Sequence, residues 1–305
     1  MKMFEKNEKD GNNMKKSAIL FAIIFLTGLG ILLYPFISNR IYQKNASQVI
    51  DNYDKQMENM SQEKKDAIKE AAKKYNEQLS NAVSTDETEE RTSYKDIIQG
   101  EQVIGYIVIP KVDVNLPIYN NTNDDILSKG VGHLPQSSFP LGGASTHSVL
   151  TGHRGLPNAV LFTNLDKMEI GDEFYLHIMD EILAYKADQI KVVEPNDSGD
   201  LAIVEGEDYC TLVTCTPYAI NSHRLLIRGV RVEYLQESAG TENNSQLQSG
   251  SFTERVVDVW PWLLVAFAII VGVEVIIFVL IIKKKRKKKK EEQEEEDDDT
   301  WHIIG

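Results

Sequence analysis

The chain has 305 residues, 42% of them hydrophobic and 26% charged, with a formal net charge of −13 at pH 7. That acidity argues against nucleic-acid binding, because the one dense basic block, KKKRKKKK at 283–290, follows an apolar run and reads as a stop-transfer signal. Its length exceeds one average domain, yet a good part of it is not globular in character.

Residues 1–16 form a short polar N-terminus ending in Lys15 and Lys16. The following run, SAILFAIIFLTGLGILLYPFI, is uncharged and long enough for a helix to cross a hydrocarbon core of about 30 Å. It is too long for a signal-peptide core and lacks a small-residue cleavage motif, so 17–38 is expected to be an uncleaved anchor. A second apolar run, 259–282, is interrupted only by Glu274 and has Trp260 and Trp262 at its start, where aromatic residues suit the membrane interface. Glu274 is expected to be protonated or to face a partner helix. Basic residues stay cytoplasmic, so both termini are expected inside, the membrane is crossed twice, and 39–258 lie outside the cell. The charged tail 283–305 ends the chain, its acidic part EEQEEEDDD offsetting the basic block.

Outside the membrane, 39–83 are poor in Gly and Pro and place Val49, Ile50, Tyr53, Met57 and Met60 at helical spacing, predicting one or two amphipathic helices broken near Ser61. Residues 84–102 are polar and acidic and read as a linker or lid-like segment. From Val103 to Glu237 short β-prone runs alternate with turn residues, starting with VIGYIVI and VDVNLPIY and ending with TLVTC and HRLLIRGVRVEYL. Seven such runs without long helices between them predict an all-β domain, an antiparallel barrel or sandwich. Residues 124–130 and 161–167 are expected to form short helical turns, and 238–258 a flexible tether.

The chemistry concentrates in YCTLVTCTPYAINSHRLLIRG, residues 209–229. Cys215 ends one predicted strand and Arg224 opens the next, so a hairpin brings a thiol beside a permanent cation that favours the thiolate. Cys210, five residues earlier on the same strand, points to the opposite face about 16 Å away along the strand. A disulfide needs Cα atoms within roughly 7 Å, so the two cysteines are not expected to pair. Of six histidines, His153 sits in the turn after HSVLT, where loops present catalytic groups. His177 and His302 read as incidental. His223 adjoins Arg224 but faces the other way if Arg224 faces the thiol. Metal binding ranks below nucleophilic catalysis, since no Cys-x-x-Cys or closely paired histidines occur beside the cysteines. A Ser/His/Asp triad ranks below it too, in the absence of a Gly-x-Ser-x-Gly elbow. No cofactor is expected.

Thr211-Leu212-Val213-Thr214-Cys215, Thr-Gly-His-Arg-Gly at 151–155 and an arginine on the next strand closely resemble sortases, the cell-surface transpeptidases of Gram-positive bacteria. Ile104-Gly105-Tyr106-Ile107, Lys129-Gly130-Val131-Gly132-His133 and Thr-Cys-Thr-Pro-Tyr at 214–218 are most similar to class C, the pilin-polymerising branch, in which a C-terminal membrane helix is also typical. The resemblance implies a closed eight-stranded β-barrel over 103–237 with Cys215, His153 and Arg224 converging at one end. It implies that Cys215 attacks an LPXTG-like sorting signal to form a thioacyl enzyme, with His153 as general acid and base. Arg224 would stabilise the oxyanion or hold the substrate, and a pilin lysine would accept the acyl group. A housekeeping enzyme anchoring surface proteins to cell-wall precursor is the alternative, and a non-catalytic β-barrel assembly module a further one. Class C enzymes commonly carry a lid with an Asp-Pro-aromatic motif. Residues 84–100 contain no such tripeptide, and no lid residue is assigned to the site.

Overall fold

In the computed structural model the described residues are 2–81, 92–98, 100 and 102–234, with backbone alone for 2–22. The second apolar run at 259–282, the tether before it and the charged tail lie outside them.

Helix α1 runs from Lys2 to Asn59 with Pro35 inside it, so the expected anchor and the first part of the helical region that follows share one helix. From Ile23 onward it is the one helix among the described residues long and apolar enough to cross a membrane. Ile24, Leu26, Ile31 and Leu32 are each more than half exposed. In water such a row would cost about 1.5–3 kcal/mol per side chain, a cost that lipid removes. Past Asn39 the pattern changes to a buried stripe, Ala46, Ile50, Tyr53 and Met57, at helical spacing. The Tyr53 hydroxyl donates to the Ile104 carbonyl (3.0 Å) and accepts from the Met179 amide (2.6 Å).

The predicted break falls at Ser61, which caps α2 (Gln62–Ser80) by accepting from the Lys64 amide at 3.4 Å. Asn76 of α2 is buried and bonds Phe139 twice, donating to its carbonyl (2.9 Å) and accepting from its amide (2.7 Å). Part of the expected linker is packed. Ser93 and Asp96 form a capping box around the single turn α3 (Tyr94–Ile97). Tyr94 stacks on His133, and Ile97 joins the core.

The barrel strands are β1 (Val103–Ile109), β2 (Val114–Tyr119), β3 (Val131–His133), β4 (Thr146–Thr151), β5 (Glu173–Ile178), β6 (Glu181–Val193), β7 (Asp208–Thr216) and β8 (His223–Val232). They close in the order β1-β2-β3-β4-β7-β8-β6-β5, with β5 returning to β1. Seven coincide with the β-prone runs. The eighth, β3, is three residues long and too short to display a period of two. The antiparallel expectation needs a correction, because β2–β3 and β4–β7 are parallel. Parallel neighbours require long connections. β2 reaches β3 through a segment containing α4 (Asp124–Leu127), and β4 reaches β7 only after β5 and β6. The other predicted turn is a short 3-10 helix, Leu165–Lys167.

Alternation fills the interior: Phe174, Leu176 and Ile178 of β5 are buried while their neighbours are not. Ile107, Leu116, Leu150, Leu212 and Ile227 complete a core with almost no exposed surface. Tyr185 is buried among them, and its hydroxyl is satisfied by Asp208 at 2.9 Å.

Candidate active site

On the β7–β8 ladder Cys215 lies directly opposite Arg224. Cys210 and Leu212 of β7, like Leu225 and Ile227 of β8, belong to the core. Alternation therefore turns Cys215 and Arg224 to the outer face, where directly opposed residues stand about 4.5–5.5 Å apart. Both are half-buried. Arg224 Nη1 donates to the carbonyls of Asn221 (3.3 Å) and His223 (3.1 Å), which folds the guanidinium back toward the turn. Among the described residues it has no carboxylate partner, so its charge is not cancelled there.

The loop after β4 is fastened to the same strand. β4 pairs in parallel with β7 as far as Thr151 opposite Val213. The Gly152 amide then donates to the Val213 carbonyl (3.1 Å), and the buried Thr214 hydroxyl to the Gly152 carbonyl (2.8 Å). Gly152 is required at this point, since a Cβ there would lie 2.8 Å from the ring of Phe162. His153 follows, its carbonyl accepting from the Phe162 amide at 3.2 Å. Cys215 is two residues beyond Val213, so both side chains belong to one rim of the barrel. Neither the His153 ring nor the Cys215 thiol is engaged in a hydrogen bond among the described residues, which leaves both available to a substrate.

Sequence reasoning missed what holds this loop. Arg154 is nearly buried and donates from Nη1 to Thr216 Oγ1 (3.1 Å) and from Nη2 to Asp166 Oδ2 (2.6 Å). Tyr218 covers Gly155, where a Cβ would meet the ring at 3.1 Å and φ is +82°. Adjacency of Arg154 to His153 was the available signal. The partners Thr216 and Asp166 are distant in sequence and gave none.

The other four histidines among the described residues are occupied elsewhere, and His302 lies outside those residues. His223 faces away from the thiol, its Nε2 3.3 Å from Glu194 and its Nδ1 2.8 Å from Ser222 Oγ. His133 Nε2 lies 2.8 Å from the Ser138 carbonyl, which only accepts, so Nε2 carries the proton and Nδ1 accepts from the Tyr94 hydroxyl (2.7 Å). Burial pushes His133 down to about 4. His177 stacks on Tyr106, and burial lowers it to about 4 as well. His147 is held between the Ala202 carbonyl and the Thr211 hydroxyl, with burial the main cause of its lowered pKa. All three are neutral structural groups at physiological pH. Cys210 is wholly buried, its thiol raised well above the ordinary range by desolvation, and the two cysteines are unbridged.

The eight-stranded barrel that carries Cys215, His153 and Arg224 has known counterparts. The sortase domain family matches residues 107–232. Sortase D of Bacillus subtilis (strain 168) is 31% identical over 165 residues, which is 53% of this chain and 79% of that protein. The chain belongs to the sortase family. Sortase C of Clostridium perfringens, solved with the C-terminal cell wall sorting motif, is 44% identical and aligns with a TM-score of 0.56 over 62% of this chain and 100% of that one. Sortase C1 of GBS pilus island 1 is 39% identical, with a TM-score of 0.58 over 66% of this chain and 98% of that one. These likenesses bear out the class C resemblance and the eight-stranded barrel read for this sortase.

Proposed function

We propose that this sortase is a pilin-polymerising cysteine transpeptidase, and the direct pairing of Cys215 with Arg224 beside the His153 loop is the observation that carries the reading. The Cys215 thiolate attacks the threonine carbonyl carbon of an LPXTG-like sorting signal. As the C–S bond forms and the Thr–Gly C–N bond breaks, protonated His153 gives its proton to the leaving amine. A pilin lysine amine then attacks the thioester, His153 takes up the proton, an isopeptide bond forms, and the thiolate is released. Arg224 stabilises the negative oxygen in each tetrahedral state or holds the substrate, tasks its planar donor fork suits. The sortase C neighbours favour this acceptor over cell-wall precursor.

The apolar part of α1 serves as an N-terminal anchor, with the barrel over 103–237 outside the cell. The finer topology, with a second crossing at 259–282 and both termini in the cytoplasm, is part of the same proposal and rests on the distribution of basic residues.

Incubation of the whole chain in detergent micelles with an LPXTG-type peptide tests the function. Mass spectrometry should find an acyl adduct that is absent in Cys215→Ala and is discharged faster by a pilin with its lysine than by a glycine amine. No adduct with the wild type would defeat the transpeptidase reading, and preference for the glycine amine would point to the housekeeping alternative.

A further inference from the structure

The loop that carries His153 is tied not only to β7 but also to α1. Asn39 Oδ1 accepts from the Val160 amide at 3.1 Å, and Ser38 Oγ, which donates to the Pro35 carbonyl of its own helix at 3.1 Å, lies 3.5 Å from the Pro157 carbonyl. Phe162, two residues beyond Val160, donates to the carbonyl of His153. Asn39 is therefore separated from His153 by two hydrogen bonds and a two-residue step, roughly 10 Å.

Asn39 stands where the apolar run ends. Immediately before it the helix exposes Tyr34 and Phe36, and immediately after it Arg40, the residue types that settle at a membrane interface. Tyr53 lies roughly 21 Å further along the helix axis. It bonds Ile104 at the start of β1 and Met179 in the β5–β6 turn. The helix thus meets the His153 loop at its membrane end and the start of β1 at its distal end.

Beside that loop two large apolar side chains are uncovered. Tyr218, seated on Gly155, is 55% exposed, and Ile220 is 71% exposed. Pro157 and Asn158 form an exposed tip beside them.

We infer that the rim of the barrel bearing His153 and Cys215 rests against the outer surface of the membrane that α1 crosses, with Tyr218, Ile220 and the 157–158 tip among the lipid headgroups. This rests on the reading of α1 as a membrane anchor. The occupant of the apolar rim is the bilayer itself, because the helix that enters it is bonded to that rim. It follows that sorting signals reach Cys215 while still close to the bilayer, and that donor and acceptor meet at the plane of the membrane.

The test uses the full chain with Cys215→Ala, reconstituted in vesicles of phosphatidylcholine and phosphatidylglycerol. Cys210 is fully buried and does not label. A nitroxide is placed at Ile220→Cys, at Asn158→Cys, and at Val204→Cys, an exposed apolar control before the start of β7. The ratio of oxygen to nickel-chelate collision rates should be several-fold higher at 220 and 158 than at 204. Equal ratios at the three sites in protein that floats with the vesicles overturn the orientation and leave the anchor reading standing. Protein that does not float with vesicles overturns both.

Discussion

Arg154, the residue after His153, donates to the hydroxyl of Thr216, the residue after Cys215, at 3.1 Å. The proposed acid/base and the proposed nucleophile are thus fixed to each other through their neighbours, while their own side chains remain unengaged. Asp166 neutralises the nearly buried guanidinium that makes the link.

Arg154→Ala should lower kcat/KM for peptide transfer about 10–100-fold by loosening the relative placement of His153 and Cys215. It should cost about 1–3 kcal/mol of stability through the lost charge-assisted bonds. Asp166→Asn, which keeps the guanidinium in place, should be milder on both counts. Steady-state kinetics and urea unfolding of the two variants decide it. An Arg154→Ala enzyme with wild-type kcat/KM would remove the link from any role in catalysis.

Under native conditions one thiol should react with iodoacetamide, and two after unfolding in guanidinium. Cys215 is half-buried on the outer face, whereas Cys210 is enclosed in the core with its thiol held protonated by burial. Mass spectrometry of the labelled chain would locate the modified residue. Cys210→Ala should keep its activity and lose about 1 kcal/mol of stability, a small cavity's worth.

Arg224→Ala should fold normally and lose about 100-fold or more in turnover, with Arg224→Lys recovering part of it, since a lysine keeps the charge but not the fork. Circular dichroism alongside the rate measurement separates the two effects. An unfolded Arg224→Ala chain would mean that the arginine serves the β7–β8 turn whose carbonyls it holds.

Stability should fall in mild acid. Folded His133 is held at about 4, whereas an unfolded histidine titrates near 6.5. The unfolded chain therefore takes up a proton that the folded one refuses. This contribution is complete above pH 6.5 and is lost as pH falls from there toward 4, at up to about 1.4 kcal/mol per pH unit. His177 acts in the same direction. Urea midpoints across that range should decline, and His133→Gln should show a shallower decline.

Asn76→Ala should destabilise the chain by about 2–3 kcal/mol, because it strands the buried amide and carbonyl of Phe139. It should leave kcat for soluble peptide unchanged, since α2 touches neither Cys215 nor His153. Unfolding curves and rates measured on one preparation test both halves.

Local chemistry by itself determined a good deal. The apolar run at 17–38 declares a span by length and lack of charge, the helices after it by the spacing of their apolar residues, and the strands by alternation. The opposition of Cys215 and Arg224 followed from a hairpin, where the partner strand is only a turn away and register is nearly forced. Tertiary structure decided what depends on distant pairing. β3 is too short to carry a pattern and exists because β2 and β4 flank it. The parallel register of β4 on β7, which brings Gly152 to Val213 and His153 toward Cys215, spans two intervening strands. Tyr94, in a stretch that reads as linker, finds a buried imidazole on β3. The link from Asn39 to Val160 crosses more than a hundred residues. A sequence displays the energy of neighbours along the chain, whereas these contacts gain their free energy only once the barrel has closed around a shared core.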